Sequence, residues 1–418
     1  MEAEQSEDDF DSYKLARDHY KACINEEKLE ELGVEPMQRK LKEFGGWPVV
    51  EGDKWKSENF SVWDWTLRMN AEGFGKDHLI DFDVGPDDKN STSRIIEIDQ
   101  ADLGMSREYL IKGFEDKDVQ HYFRYMVDTA ILFGAKPEDA KRELKDSLLF
   151  EIELAFTTAA REDRRNSTQL YNPTTAGEAK THEGLPSSWT EFCRKMFKDS
   201  TAIKIDEDEK INIASPEYLE NLGKLITKTD KRTLANYLAW RAIKPFMTLL
   251  NEEARKIRQR YRKALLGIQV ETPTWKRCVE EIGFNNFDSS NFIYVASSMY
   301  VKKYFKPEAK KEMIELTDYI RKAFEDIVLP SIDWMDEKVK EKAKKKLAEM
   351  DQFIAYSDEF LNKEKIDELY QGLEISENDL FGNSLKIYRF WRTFIYNRYL
   401  RAHLKCLTYL IKFYRHFI

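Results

Sequence analysis

Between Asp230 and Cys278 the chain is nearly committed to one kind of structure. Leu234, Ala235, Leu238, Ala239, Ala242, Ile243, Phe246 and Met247 recur at helical spacing, and Tyr237 and Trp240 widen the stripe. Leu250, Ala254, Ile257, Tyr261 and Leu265 continue it in steps of three and four, with Arg and Lys between them. That is the period of an amphipathic helix. Asp230 can cap its start and Gly267 can stop it. At ~1.5 Å per residue the helix would run about 55 Å, kinked where Pro245 removes a backbone donor. Its first half is apolar nearly all round, so neighbours must cover it on several sides. A large aromatic and a rare cysteine, Trp275 and Cys278, stand at its exit.

The same reading places helices over Ser12 to Leu32, Met37 to Phe44, Asp118 to Phe133, Pro137 to Ala160 and Ser188 to Phe197. Gly45-Gly46-Trp47-Pro48 is a turn with an aromatic anchor. Ser215-Pro216-Glu217 starts a further helix with a capping residue, a first-turn proline and an acid on the dipole. One helix opens at Pro307, with Met313, Leu316, Ile320, Phe324 and Ile327 on one face, and another near Trp334. Lys363 to Leu373 and Asn378 to Trp391 complete the set. Ile80, Phe82 and Val84 alternate with Asp81 and Asp83, and Ile96 and Ile98 with Glu97 and Asp99, predicting a hairpin whose carboxylates face solvent. A second hairpin is expected to pair Ile203 and Ile205 with Ile211 and Ile213 across Asp206 to Glu209. The fold class is therefore mainly α: a large multi-helix lobe with one or two small β-hairpins.

Charge and motifs narrow the function. The 418 residues carry 76 acids against 67 bases, a balance that disfavours a general nucleic-acid binder. No run of eighteen apolar residues predicts a transmembrane helix, and the acidic start is not a signal peptide. Cys23, Cys193, Cys278 and Cys406 contain no C-x-x-C and are too few for a disulfide scaffold. They leave a cytosolic and a sparsely bridged extracellular chain both open; the sequons at Asn59, Asn90 and Asn166 lean outward. No two of the six histidines lie three to five residues apart. His182-Glu183 begins like H-E-x-x-H, but Pro186 occupies the second histidine position and would break the presenting helix. G-x-S-x-G, the P-loop and G-x-G-x-x-G are absent. No catalytic and no metal-binding residue is assigned. The lysine run Lys338 to Lys346 reads as a solvated helix face. From Thr393 to Ile418 acids vanish, and Arg398, Arg401, Lys405, Lys412 and Arg415 alternate with Tyr, Leu, Phe and Ile. This tail is either a basic membrane-surface helix or sequence that does not fold with what precedes it.

A series of short motifs says more. Tyr20-Lys21-Ala22-Cys23, Gly45-Gly46-Trp47-Pro48, Val84-Gly85 to Asn90, Ile98-Asp99-Gln100 and Leu103-Gly104 come first. Leu170-Tyr171-Asn172, Asn236-Tyr237-Leu238, Trp240-Arg241, Trp275 to Cys278, Tyr300 to Phe305 and Trp334-Met335-Asp336 follow. In this order the chain, from about Ser12 to Trp391, resembles the N-terminal, substrate-limiting part of the neprilysin and endothelin-converting-enzyme family of zinc metalloendopeptidases. The resemblance divides the chain into an acidic disordered start (1–11), a neprilysin-like helical region (12–392) and an unrelated tail (393–418).

The resemblance also implies a lobe that limits access to an oligopeptide-sized cavity, and an extracellular or cell-surface location. It pairs the Y-x-x-C cysteine, Cys23, with the W-x-x-C cysteine, Cys278; closing so long a loop contributes roughly 5 kcal/mol through the unfolded state. Cys193 and Cys406 acquire no partner from it. In the complete family two histidines and a glutamate hold zinc, and a further glutamate acts as general base on its water. Those positions are missing from this sequence, which is expected to begin after the family's membrane anchor and to end before the zinc-binding helix. A shortened transcript or a gene-model error would produce the junction at Thr393. No cofactor is expected in the chain, and no peptide hydrolysis by it alone. The alternative is a stand-alone helical peptide- or protein-binding module derived from such a peptidase.

Overall fold

The helix Lys231–Ile243 is buried on every side: Thr233 and every residue after it to Ile243 are shielded from solvent. Asp230 caps it, its carboxylate accepting the Thr233 amide at 3.0 Å. The computed structural model describes residues 9–75, 77–199, 204–283 and 292–399. They fall into two units, 18–283 with 373–399 and 9–17 with Phe292–Gly372.

In the larger unit the single kinked helix expected from Asp230 to Gly267 is instead two. Lys231–Ile243 passes into a 3-10 turn, Lys244–Thr248, and a new helix, Glu252–Leu266, begins beyond it. Pro245 lacks the amide that would continue the α ladder, and Asn251 offers a fresh start by accepting the Ala254 amide at 3.2 Å, a cap of about 1 kcal/mol. The predicted helix Ser12 to Leu32 divides for the same reason. It forms Asp11–Ile24 and Glu26–Leu32 because Asn25 turns its side chain onto the Lys28 amide at 3.1 Å. Lys231–Ile243 packs on the helix Pro137–Thr157, and Glu252–Leu266 packs on Lys117–Leu132. Helix Leu380–Tyr399 runs past Trp391, where the family-like sequence was expected to end, and buries Tyr396. The Tyr396 ring meets Phe197 edge-on at 4.7 Å. Gly73 lets this helix approach: its φ is +94°, and a Cβ there would stand 2.7 Å from the Leu385 carbonyl oxygen.

Strands β1 (Ile80–Asp87) and β2 (Asn90–Gln100) form the expected hairpin, with Ile80, Phe82 and Val84 inward. Among the described residues the second hairpin is not formed. Strand β4 (Lys210–Ile213) lies parallel to β2, Ile96 facing Ile211 and Ile98 facing Ile213, and antiparallel to β3 (Pro173–Thr175). The sheet order is β1-β2-β4-β3. A strand has two edges, and both edges of β4 are taken. Ile205 is buried, but its carbonyl accepts Arg194 Nε at 2.9 Å rather than joining a ladder; Ile203 lies outside the described residues. The short β3 is locked by Asn172 and Asn212: Asn212 Oδ1 accepts the Asn172 amide at 2.6 Å and its amide group donates to Leu170 O at 2.9 Å. The hairpin carboxylates are only partly solvated. Asp83 is exposed, whereas Glu97 and Asp99 are half-buried and Asp99 accepts Ser215 Oγ at 3.1 Å.

The smaller unit is built from the helices Ile293–Tyr304, Pro307–Ala323, Glu337–Ala348 and Lys363–Leu369 together with residues 9–17. Tyr13 donates to Ser298 Oγ at 2.7 Å, and Ser298 in turn donates to the Phe360 carbonyl. Asp367 receives the Ser12 amide at 2.9 Å, a carboxylate at a helix N-terminus. The acidic start through residue 8, Cys406, His403, His416 and the tail from 400 lie outside the described residues.

Cys23 and Cys278 are joined by a disulfide with Cα atoms 5.6 Å apart, closing a loop of 255 residues. Loop closure in the unfolded chain makes this worth about 5 kcal/mol. Reduction under native conditions, or Cys23→Ser with Cys278→Ser, is expected to lower the urea unfolding free energy by several kcal/mol, and the double variant should show no further response to reductant.

Candidate functional site

Helix Pro137–Thr157 carries Glu151 on the same stripe as Leu144 and Leu148, and burial of that stripe takes the carboxylate fully out of water. A buried charge must be paired or bonded to persist. Glu151 Oε1 accepts the Gly104 amide at 2.6 Å, and Oε2 accepts Tyr122 Oη at 3.1 Å. Tyr122 accepts Trp240 Nε1 at 2.7 Å. Arg241 completes the set, 3.9 Å from Glu151 Oε1, donating to Asp102 O at 2.6 Å and to Tyr237 Oη at 3.0 Å. Tyr237 Oη donates in turn to His78 O at 2.9 Å. Gly104 has to be glycine here, because a Cβ would stand 2.1 Å from Tyr122 Oη.

The electrostatics follow from burial. Desolvation lifts the Glu151 carboxyl above its ordinary range, and the Arg241 charge and the Gly104 amide restrain the rise. Burial alone would pull Arg241 down, but Tyr237, Glu151 and Tyr122 around it raise it overall. His78 is pushed down to about 3 by burial and by Arg241, and His19 to about 4 by burial. Both histidines are neutral in the folded chain. Every oxygen of Glu151 is occupied and none faces solvent, so this cluster joins three helices to the Gly104 loop and does not present a base to a substrate.

A second polar set fixes the Gly45-Gly46-Trp47-Pro48 turn. Arg232 grips Glu143 through Nε to Oε2 at 2.8 Å and Nη2 to Oε1 at 3.0 Å, and also donates to the carbonyls of Pro48 and Gly52. Asn236 accepts the Val49 amide at 3.0 Å and donates to Glu143 at 3.0 Å. The motifs Gly-Gly-Trp-Pro and Asn236-Tyr237-Leu238, far apart in sequence, thus form one joint.

Of the residues singled out in the sequence, Cys23 and Cys278 are brought together. Asn59, Asn90 and Asn166 are all exposed, in a 3-10 turn, at the start of β2 and after a second 3-10 turn. Cys193 is a buried thiol, pushed up to about 12 by desolvation. His182 and Glu183 lie in a turn before the helix Trp189–Met196, not on a helix. Glu151 escaped sequence reading; the available signal was an acid at the buried phase of an otherwise apolar stripe.

A model described as Peptidase family M13 matches residues 1–357. The chain belongs to peptidase family M13. Within that family it is 38% identical over 405 residues to Neprilysin-2 of Drosophila melanogaster, covering 95% of this chain and 51% of that protein. Human neprilysin is 30% identical over 403 residues, 93% of this chain and 52% of that one. The chain spans about half the length of the curated relatives it matches. Among solved structures, the Mycobacterium tuberculosis zinc metalloprotease ZMP1 in its open state superposes with a TM-score of 0.66 at 20% identity, over 92% of this chain and 55% of that one. PEPO from Lactobacillus rhamnosis HN001 gives 0.68 at 16% identity, over 94% and 58%. These two share the fold.

Peptidase family M13 is a family of zinc enzymes, so the donors present must be tested against zinc. Among the described residues no three His, Cys, Asp or Glu side chains are grouped to hold a metal ion. His182 and Glu183 lack the helix that would set two ligands a turn apart. The described residues do not fit a zinc site, and no step through zinc is derived from them.

Two outcomes are expected. Arg241→Met leaves Glu151 buried without its counter-charge and should cost roughly 3–5 kcal/mol in urea unfolding; adding Glu151→Leu should recover part of that loss, a coupling that independent sites would not show. For the histidines the unfolded pKa is 6.5 and the folded value lies lower, near 4 for His19. Their contribution to stability is complete above pH 6.5 and is lost as pH falls from there toward 4, about 1.4 kcal/mol per pH unit each. The guanidinium midpoint should therefore be lower at pH 5 than at pH 7, and the drop smaller in His19→Leu.

Proposed function

We propose that this chain forms the non-catalytic, substrate-limiting part of a neprilysin-like zinc metalloendopeptidase and does not hydrolyse peptides by itself. One observation carries the reading beyond family membership. Helix Pro307–Ala323 has no buried residue. Met313, Leu316 and Ile320 on its apolar stripe are exposed, and Phe324, Ile327 and Val328 extend the stripe beyond its end. Trp334 is 76% exposed. Steps of three and four put Met313, Leu316, Ile320, Phe324 and Ile327 on one face, with Trp334 in the loop beyond, and a contiguous apolar face in water is the mark of a surface built to be covered. A catalytic part supplying two histidines and a glutamate for zinc, with a glutamate as general base, would cover it and complete the enzyme. The substrates of that complete enzyme are oligopeptides, admitted by a cavity that the helical lobe helps to wall.

An extracellular or cell-surface location agrees with a disulfide between Cys23 and Cys278 and with three exposed sequons, which we take to carry N-glycans.

The purified chain, assayed for bound zinc by emission spectrometry and for cleavage of fluorogenic oligopeptides, is expected to hold no stoichiometric zinc and to cleave nothing. It should also bind an apolar dye strongly, and Leu316→Gln with Ile320→Gln should reduce that signal. Stoichiometric zinc together with chelator-sensitive cleavage would overturn the reading.

A further inference from the structure

Helix Glu252–Leu266 sets Arg255, Arg258 and Arg262 on one face, at intervals of three and four. Helix Thr274–Gly283 brings Arg277 to the same space, beside the disulfide. The four arginines line a cavity of about 140 Å³ with Glu271, Glu280 and Glu281, one more positive than negative side chain among the lining residues. That is room for several water molecules or one small polyatomic ion.

The guanidiniums are unequally engaged. Arg255 donates to Leu250 O at 2.7 Å and has Glu26 at 3.4 Å and Glu30 and Glu271 at 3.8 Å. Arg277 Nη1 donates to Thr248 O at 3.1 Å and contacts Cys23 Sγ at 3.5 Å. Its Nη2 is buried with no hydrogen-bond partner, although the residue is only 7% exposed. Arg258 and Arg262 make no hydrogen bond or close ion pair among the described residues. Burial pulls Arg258 below its ordinary value, helped by Arg262, and burial with Arg255 does the same to Arg277. A buried donor without an acceptor, such as Arg277 Nη2, is costly, and several arginine forks on one small cavity match the several acceptor oxygens of a tetrahedral anion.

We propose that this cavity is a binding site for a small oxyanion of the phosphate class, held by Arg258 and Arg262 with Arg277 behind them. The anion fastens helix Glu252–Leu266 to helix Thr274–Gly283 across the connecting loop, alongside the disulfide. The site is independent of the peptidase reading and of any zinc chemistry.

Isothermal titration of the full chain with inorganic phosphate, at ionic strength fixed with sodium chloride, should show saturable one-site binding with a Kd of about 1 mM or tighter. The thermal midpoint should rise with the logarithm of phosphate concentration. Arg258→Gln with Arg262→Gln should weaken binding at least about 10-fold, the loss of a charged hydrogen bond. Arg262→Lys, which keeps the charge but not the fork, should weaken it less. Phenyl phosphate separates two sources: weaker binding than the free ion assigns the site to the ion itself, and tighter binding assigns it to a phosphate borne on a larger molecule. Absence of saturable binding by the unaltered chain overturns the proposal whether or not the variants fold. So does an equal rise in midpoint with chloride, or unchanged binding in the double glutamine variant.

Discussion

The buried Glu151–Arg241 pair is the constraint on which the larger unit depends. A carboxylate with no exposure is tolerable only if its oxygens are satisfied and a cation stands near. Here the partners arrive from the Gly104 loop, from Tyr122 on one helix and from Arg241 on another. None of them can shift without stranding a charge, so the cluster fixes the positions of those helices more strictly than apolar packing does. Around it the aromatic rings add directionality, with Tyr125 edge-on to Trp240 at 5.0 Å and stacked on Tyr261 at 5.0 Å.

From this frame the two other joints follow. Arg232, Glu143 and Asn236 hold the Gly-Gly-Trp-Pro turn against the start of the buried helix, while the disulfide ties the first helix to the segment after the arginine-bearing one. Each joint uses a few directional contacts between positions far apart in sequence. Helix Pro307–Ala323, in the smaller unit, is held by polar contacts, Lys310 to Tyr356 O and Asp358 and Arg321 to Leu347 O, and has no buried residue. The apolar face on this helix is the surface that the proposed catalytic part would cover, and family M13 membership is shown independently of it.

Much of the local structure was legible. The hairpin β1–β2 followed from strict alternation, and the helix Pro216–Lys228 from its serine, proline and glutamate start. The misreadings have physical causes. Continuous periodicity across Pro245 and Asn25 suggested unbroken helices, yet Asn251 and Asn25 each supplied a competing cap. The isoleucines on both sides of Asp206 to Glu209 suggested a hairpin, yet β2 and β3 claimed both edges of β4. The pairing of Cys23 with Cys278 came from family resemblance rather than spacing, since nothing local relates two cysteines 255 residues apart.

The sequence by itself determined the mainly helical class, the buried phase of Lys231–Ile243 and the family, because periodicity and ordered motifs are properties of the linear chain. Only the tertiary structure decided that Glu151 is a buried partner of Arg241, and that the arginines of Glu252–Leu266, which look like a solvated face, line a cavity. Charged residues look alike in sequence whether they meet water or one another. What separates the two cases is the dielectric and the company that folding brings to them.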